Sequence, residues 1–130
     1  MLDVAVVCLA MNMYHEARNE GFRGMMAVAE VTANRIASPH FPNNVCDVVK
    51  QVYKKGRKDC HFSWYCDGKS DKMHDEHWRL NAYELAVDYL TGLETNITKG
   101  ATHYHASYVY PYWADSLKVT ARVGSHIFYK

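Results

Sequence analysis

The chain has 130 residues, 48% of them apolar and 22% charged, with a formal net charge of +1. That length allows one domain, residues 1–130, with a real core and leaves no room for a second. A near-neutral balance lacks the broad basic field of a nucleic-acid binder, although Lys50 to Lys58 forms a local basic run. No apolar run is long enough to span a bilayer, so membrane insertion is not expected.

Residues 3 to about 17 read as a helix that is apolar nearly all round, which places it centrally. It leads into Tyr14-His15-Glu16-Ala17-Arg18-Asn19-Glu20, after which Gly21 interrupts it. A second helix is expected over 23–37, where Met25, Val28, Ala29, Thr32 and Ile36 recur at helical spacing and Met26 and Ala33 widen the stripe. Ser38-Pro39 stops it. Asn44 can cap a short third helix carrying Val45, Val48, Val49 and Val52. Tyr53 to Asp75 is irregular, yet its patch His61-Phe62-Ser63-Trp64-Tyr65 is apolar enough to dock as one wall of a cleft. A fourth helix over 76–90 presents Trp78, Ala82, Leu85 and Tyr89 on one face, and Gly92 ends it. After Gly100 the period falls to two. Strands are expected at 102–105, 117–123 and 126–129, with Gly124-Ser125 as a hairpin turn. Helices followed by a small antiparallel sheet make the class α+β.

Glu16 leaves the buried helix at its C-terminal end, and Glu20 follows one turn later, so on a continuing helix the two carboxylates share a face. Poor hydration and a neighbouring like charge both favour a protonated carboxyl group, which can act as a general acid. The plainer alternative is a solvated helix end in which Arg18 pairs with the two acids. Asn34 and Arg35, closing the second helix, could brace Glu16 or Glu20. Eight histidines raise the question of a metal, but neither His103-x-His105, His74-x2-His77 nor Cys60, His61 and Cys66 has a tight metal-site spacing, so no metal and no cofactor is expected. There is no G-x-S-x-G elbow and no glycine-rich phosphate loop. Cys8, inside the apolar run, reads as a free buried thiol, while Cys60 and Cys66 could close a small loop. Asp3 stands where a signal peptide would be positive, so synthesis in a reducing cytoplasm without an export signal is expected.

The residues Tyr14-His15-Glu16-Ala17-Arg18-Asn19-Glu20-Gly21, Ala27-Val28-Ala29, Asn34-Arg35-Ile36, Phe41-Pro42, Phe62-Ser63-Trp64, Tyr104-His105-Ala106, Pro111, Trp113 and Gly124-Ser125-His126-Ile127-Phe128-Tyr129 together resemble the SleB/CwlJ-type cell-wall hydrolase family. They run nearly the length of the chain in the family's order. The pairing of E-A-R-x-E with the late G-x-H-x-F-Y is the specific part. Asn19 departs from the family's usual Gly, which bears on the turn between the two acids and leaves both in place.

The resemblance implies a lysozyme-like fold and a peptidoglycan substrate, cut between N-acetylmuramic acid and N-acetylglucosamine by a lytic transglycosylase. Glu16 maps to the catalytic acid and Glu20 to a second acid whose role is open. Plain hydrolysis by a muramidase is the near alternative; a metal-dependent amidase and a non-catalytic wall-binding module are the more distant ones. Phe62, Trp64, Tyr104, His105, Tyr108, Tyr112 and Trp113 are the expected groove-lining residues. His103 and His126 are expected hydrogen-bond partners of the substrate or of Glu16. The bare domain resembles a phage lysin more than a spore enzyme, a monomer that reaches the wall after release at lysis or with a virion.

Overall fold

The computed structural model describes residues 3–53 and 59–130; positions 54–58 of the basic run lie outside the described residues. Helix α1 spans Val4–Ala17 and is the central element, packed against α2 (Gly21–Ala37), α3 (Val45–Val49) and α4 (Glu76–Leu90). Its first turn is capped by Asp3, whose Oδ1 accepts from the Ala5 amide at 2.8 Å. Leu9, Ala10, Met13, Tyr14 and Ala17 are all buried along it. Each large side chain so enclosed contributes about 1.5–3 kcal/mol relative to exposure. Asn44 and Asp75 cap α3 and α4 in the same way, accepting from Asp47 N at 3.0 Å and Trp78 N at 3.3 Å.

Helix α2 is buried on two sides. Met25, Val28 and Ala29 face the helical core, while Ala27 and Val31 pack with Ala101, Val123 and Phe128 under the sheet. The expected single stripe is therefore incomplete: Ala33 is exposed and Met26 half-buried, and the second stripe is Ala27 and Val31. Strands β1 (His103–Ala106), β2 (Val119–Val123) and β3 (His126–Tyr129) form an antiparallel sheet in the order β1-β3-β2. Tyr104 lies opposite Phe128 in β3, which is fully buried. The third helix ends at Val49; Val52 instead pairs with Cys60 in an isolated bridge.

Cys8 is not a free thiol. It is bonded to Cys46, with their Cα atoms 5.3 Å apart, because α3 packs across α1 at that turn. Cys60 and Cys66 form a second disulfide, as the short spacing allowed. Disulfides of this kind form under oxidising conditions and stabilise by about 2–4 kcal/mol each. No helix among the described residues is long and apolar enough to cross a membrane.

Candidate active site

The last turn of α1 delivers Glu16 to the point where helices, sheet and the 60–74 segment meet. Two clefts share its side chain as part of their lining. One, of about 350 Å³, is aromatic and includes Arg35, Tyr53, His61, His103, Tyr104 and Trp113. The other, of about 380 Å³, is polar and lies between the end of α1 and residues 63–74. An acid that lines two clefts in this way can meet a ligand from either of them.

Burial raises the Glu16 pKa above the usual glutamate range; a hydrogen bond from Tyr104 and the positive charge of Arg35 oppose the rise without cancelling it. The Tyr104 hydroxyl donates to Glu16 Oε1. Tyr104 is held in turn against Phe62, His126 and Phe128, with ring centroids 6.4, 5.1 and 5.2 Å away. Burial and the facing carboxyl push the phenol well above its ordinary value, so it stays a hydrogen donor at all working pH.

Arg35, buried near the end of α2, is fixed by its Nε donating to Thr102 O at 2.8 Å and lies 4.7 Å from the Phe41 ring centroid. It does not form a close ion pair with Glu16 in the structure; its charge acts across the cleft. Asn34, its neighbour, donates to Ala101 O at 2.8 Å and so holds the loop before β1.

Glu20 leaves the groove. Helix α1 stops at Ala17, a 3-10 turn covers Arg18–Glu20, and Gly21 adopts φ +76°. The chain reverses there and the two carboxylates do not share a face. Glu20 reaches the β2–β3 turn instead, where Ser125 donates to it from its hydroxyl and, at 3.4 Å, from its amide. Gly124 permits the approach, since a Cβ there would sit 2.4 Å from Glu20 Oε2.

Of the expected groove residues, His103, Tyr104, Tyr112 and Trp113 line the aromatic cleft with Phe62, which is only 1% exposed and chiefly core. Trp64 belongs to the polar cleft, stacked on His15 at 4.8 Å, with its indole N–H donating to Asn12 at 2.9 Å. His105 and Tyr108 are elsewhere, at a depression on the outer side of the sheet. His105 is buried, bonded to Tyr129 and to Ala106 O at 2.7 Å each. It shares a strand face with His103, and both rings touch Trp113. His126 packs on Tyr104 and lines neither cleft, because β3 turns it under the β1 ring. Among the described residues no three His, Cys, Asp or Glu side chains form a metal-binding group. Sequence reasoning did not single out His61, Tyr53 and Phe41 for the cleft. The apolar patch 61–65 was the visible signal for the first and the Phe41-Pro42 match to the family for the third; nothing in the text of the chain pointed to Tyr53.

The fold and site define a class: a lysozyme-like α+β domain with an enclosed acid set between two clefts. The chain belongs to the cell wall hydrolase family, whose model matches residues 19–129. Glu16 lies three residues before that match. The chain is 32% identical over 127 residues to the spore cortex-lytic enzyme of Halalkalibacterium halodurans, covering 97% of this chain and 34% of that protein. It is 28% identical over 120 residues to the spore cortex-lytic enzyme of Bacillus subtilis, covering 92% and 35%. It thus spans about a third of the length of these curated relatives. Among solved structures it superimposes on the catalytic domain of the germination-specific lytic transglycosylase SleB from Bacillus anthracis with a TM-score of 0.74 and 26% identity, over 100% of this chain and 97% of that one.

Proposed function

We propose that the domain is a lytic transglycosylase that cuts peptidoglycan between N-acetylmuramic acid and N-acetylglucosamine, with Glu16 as its general acid and base. One observation carries this reading: Glu16, whose pKa burial raises, is the only carboxyl group among the described residues lining the aromatic cleft. The Tyr104 hydroxyl occupies Oε1, which leaves the proton on Oε2. That proton passes to the glycosidic oxygen as the C1–O bond breaks, and an oxocarbenium-like muramyl centre forms. The sugar's own 6-hydroxyl closes on C1 and returns its proton to Glu16. The product is a 1,6-anhydro end, and no water is consumed. Tyr104 and Arg35 stabilise the carboxylate that exists between the two transfers.

Mass spectrometry of digested peptidoglycan tests the assignment. Anhydro-muropeptides are the expected products. Reducing ends would replace the proposal with a hydrolytic muramidase, and free stem peptides with an amidase, which a chelator would then inactivate.

Tyr104→Phe removes the donor to Oε1. Activity is expected to fall about 10- to 100-fold, the scale of one hydrogen bond to a charged group. Because that bond lowers the Glu16 pKa, its loss should move the alkaline limb of the pH–rate profile upward. An unshifted limb would argue that the phenol only packs.

Glu20 acts as a clamp on the β2–β3 turn. Glu20→Gln should therefore lower thermal stability and leave the product pattern unchanged; loss of turnover in a variant with an unaltered melting temperature would restore Glu20 as a base.

Two disulfides fit a domain that works outside the reducing cytoplasm, on the wall itself. The named relatives are spore cortex-lytic enzymes and the superimposed SleB domain is a germination-specific one, so germination is the setting they favour; release at phage lysis is the other route by which such a domain would meet its substrate. Clearing of purified spore cortex without clearing of vegetative walls would single out the first.

A further inference from the structure

The aromatic cleft contains a hydrogen donor whose direction is set by its neighbours. Arg35 Nη1 lies 3.3 Å from His61 Nδ1. A guanidinium has only donors and does not deprotonate, so Nδ1 must accept. The single proton of the neutral ring is therefore on Nε2. A second proton on Nδ1 would face the Arg35 N–H directly. Consistent with that, burial and then Arg35 and His103 bring the His61 pKa down to about 4. The ring has little freedom: it stacks on Tyr53 at 4.3 Å and 18°, and the His61 amide donates to Gln51 O at 3.0 Å. The adjoining Cys60 is tied twice, to Val52 by a bridge and to Cys66 by a disulfide. Among the described residues nothing accepts from Nε2, and His61 lines the cleft that holds Glu16.

We propose that His61 is a substrate-recognition residue whose Nε2–H donates to an acetamido carbonyl oxygen of the bound glycan, with Arg35 as the positioning residue that fixes the tautomer. This rests on the glycan-cleaving reading above. The acetamido carbonyl is the strongest neutral acceptor on an N-acetylated sugar, and every sugar of an unmodified strand carries one. A neutral N–H selects it without attracting the carboxylates of the stem peptides. Recognition should then persist unchanged across the pH range in which an ordinary histidine titrates.

The test uses the Glu16→Gln chain, so that ligand stays intact, and two probes: the tetramer of N-acetylglucosamine and the fully de-N-acetylated glucosamine tetramer. Titration calorimetry at pH 5 and pH 8 should show about tenfold tighter binding of the acetylated probe at both, the scale of one well-placed hydrogen bond. Adding His61→Ala should abolish the preference. Adding His61→Gln, which returns an N–H near the Nε2 position, should restore part of it, whereas His61→Asn, which mimics Nδ1, should not. A purely structural role would give Gln and Asn the same result. Preference retained in His61→Ala, or lost on going to pH 8, overturns the proposal. So does failure of the Glu16→Gln chain to bind either probe, and the muropeptide digest of the unsubstituted enzyme then decides independently whether the catalytic reading falls with it.

Discussion

A Glu16→Gln chain is expected to leave purified peptidoglycan undigested, with turnover lower by about 10²–10⁴. The amide keeps the volume of the acid and can still accept from Tyr104. What it lacks is a transferable proton, so only the chemical step is removed. The pKa shift supplies a control on folding. Because the folded Glu16 pKa lies above its unfolded value, the unfolded chain releases its proton first as pH rises. Native stability therefore declines from the unfolded pKa up to the folded one, and then levels. The Gln variant has no such decline. It should match the parent in melting temperature at acid pH and exceed it at alkaline pH. An inactive variant that is also more stable at pH 8 is hard to explain by misfolding. Digestion at the parental rate would remove Glu16 from the mechanism.

The same pKa shift predicts how the parent enzyme responds to pH. Activity that needs the protonated acid is lost as pH rises through the Glu16 pKa, and two histidines of the aromatic cleft, His61 and His103, do not add a step of their own near neutrality. Both His61 and His103 are held down to about 4, by burial first and Arg35 next.

Much of the scaffold was legible from periodicity. Helix α4 occupies 76–90 as expected, because Asp75 caps its start and Gly92 follows its end. The three strands appear where the period falls to two. Misreadings have particular causes. A single hydrophobic stripe was assigned to α2, but a helix sandwiched between helices and sheet needs two, and Ala27 and Val31 are too few and too small to announce the second. Cys8 looked inert because its neighbours are apolar; only the packing of α3 across α1 reveals Cys46. Glu20 was placed beside Glu16 on the condition that α1 continue to Glu20, whereas the helix ends at Ala17 and a 3-10 turn carries Glu20 away. Glu16 itself could be picked out because an acid at the end of an all-apolar helix is costly without a reason. His61 could not be separated from the patch around it, since the partner that fixes its tautomer is 26 residues away.

Glu30 was missed altogether, and its removal is expected to be the most destabilising change outside the groove. It sits between the two buried stripes of α2 and is itself buried. Its Oε1 accepts from the amide and hydroxyl of Thr98, both at 2.8 Å, and its Oε2 from the Thr95 hydroxyl at 2.6 Å and the Ile97 amide at 2.7 Å. Burial by itself would raise its pKa; the four hydrogen bonds outweigh burial and lower it. The segment so held leads into β1, and Thr98 O accepts from Thr120 at 2.6 Å, so one carboxylate secures the approach to both outer strands. Glu30→Ala leaves one buried and one half-buried amide and two hydroxyls without their acceptor, a loss of about 3–5 kcal/mol. For a domain of this size that is a fall in melting temperature of about 10–20 °C. The pH dependence has the opposite sign to that of Glu16. The folded pKa is below the unfolded one, so the stabilisation is complete above the unfolded pKa and is lost as pH falls through the folded value. Calorimetry of the parent and Glu30→Ala chains between pH 2 and pH 7 should therefore show curves that converge in acid and separate toward neutrality. A constant gap over that range would mean that the side chain matters for its packing and not for its charge.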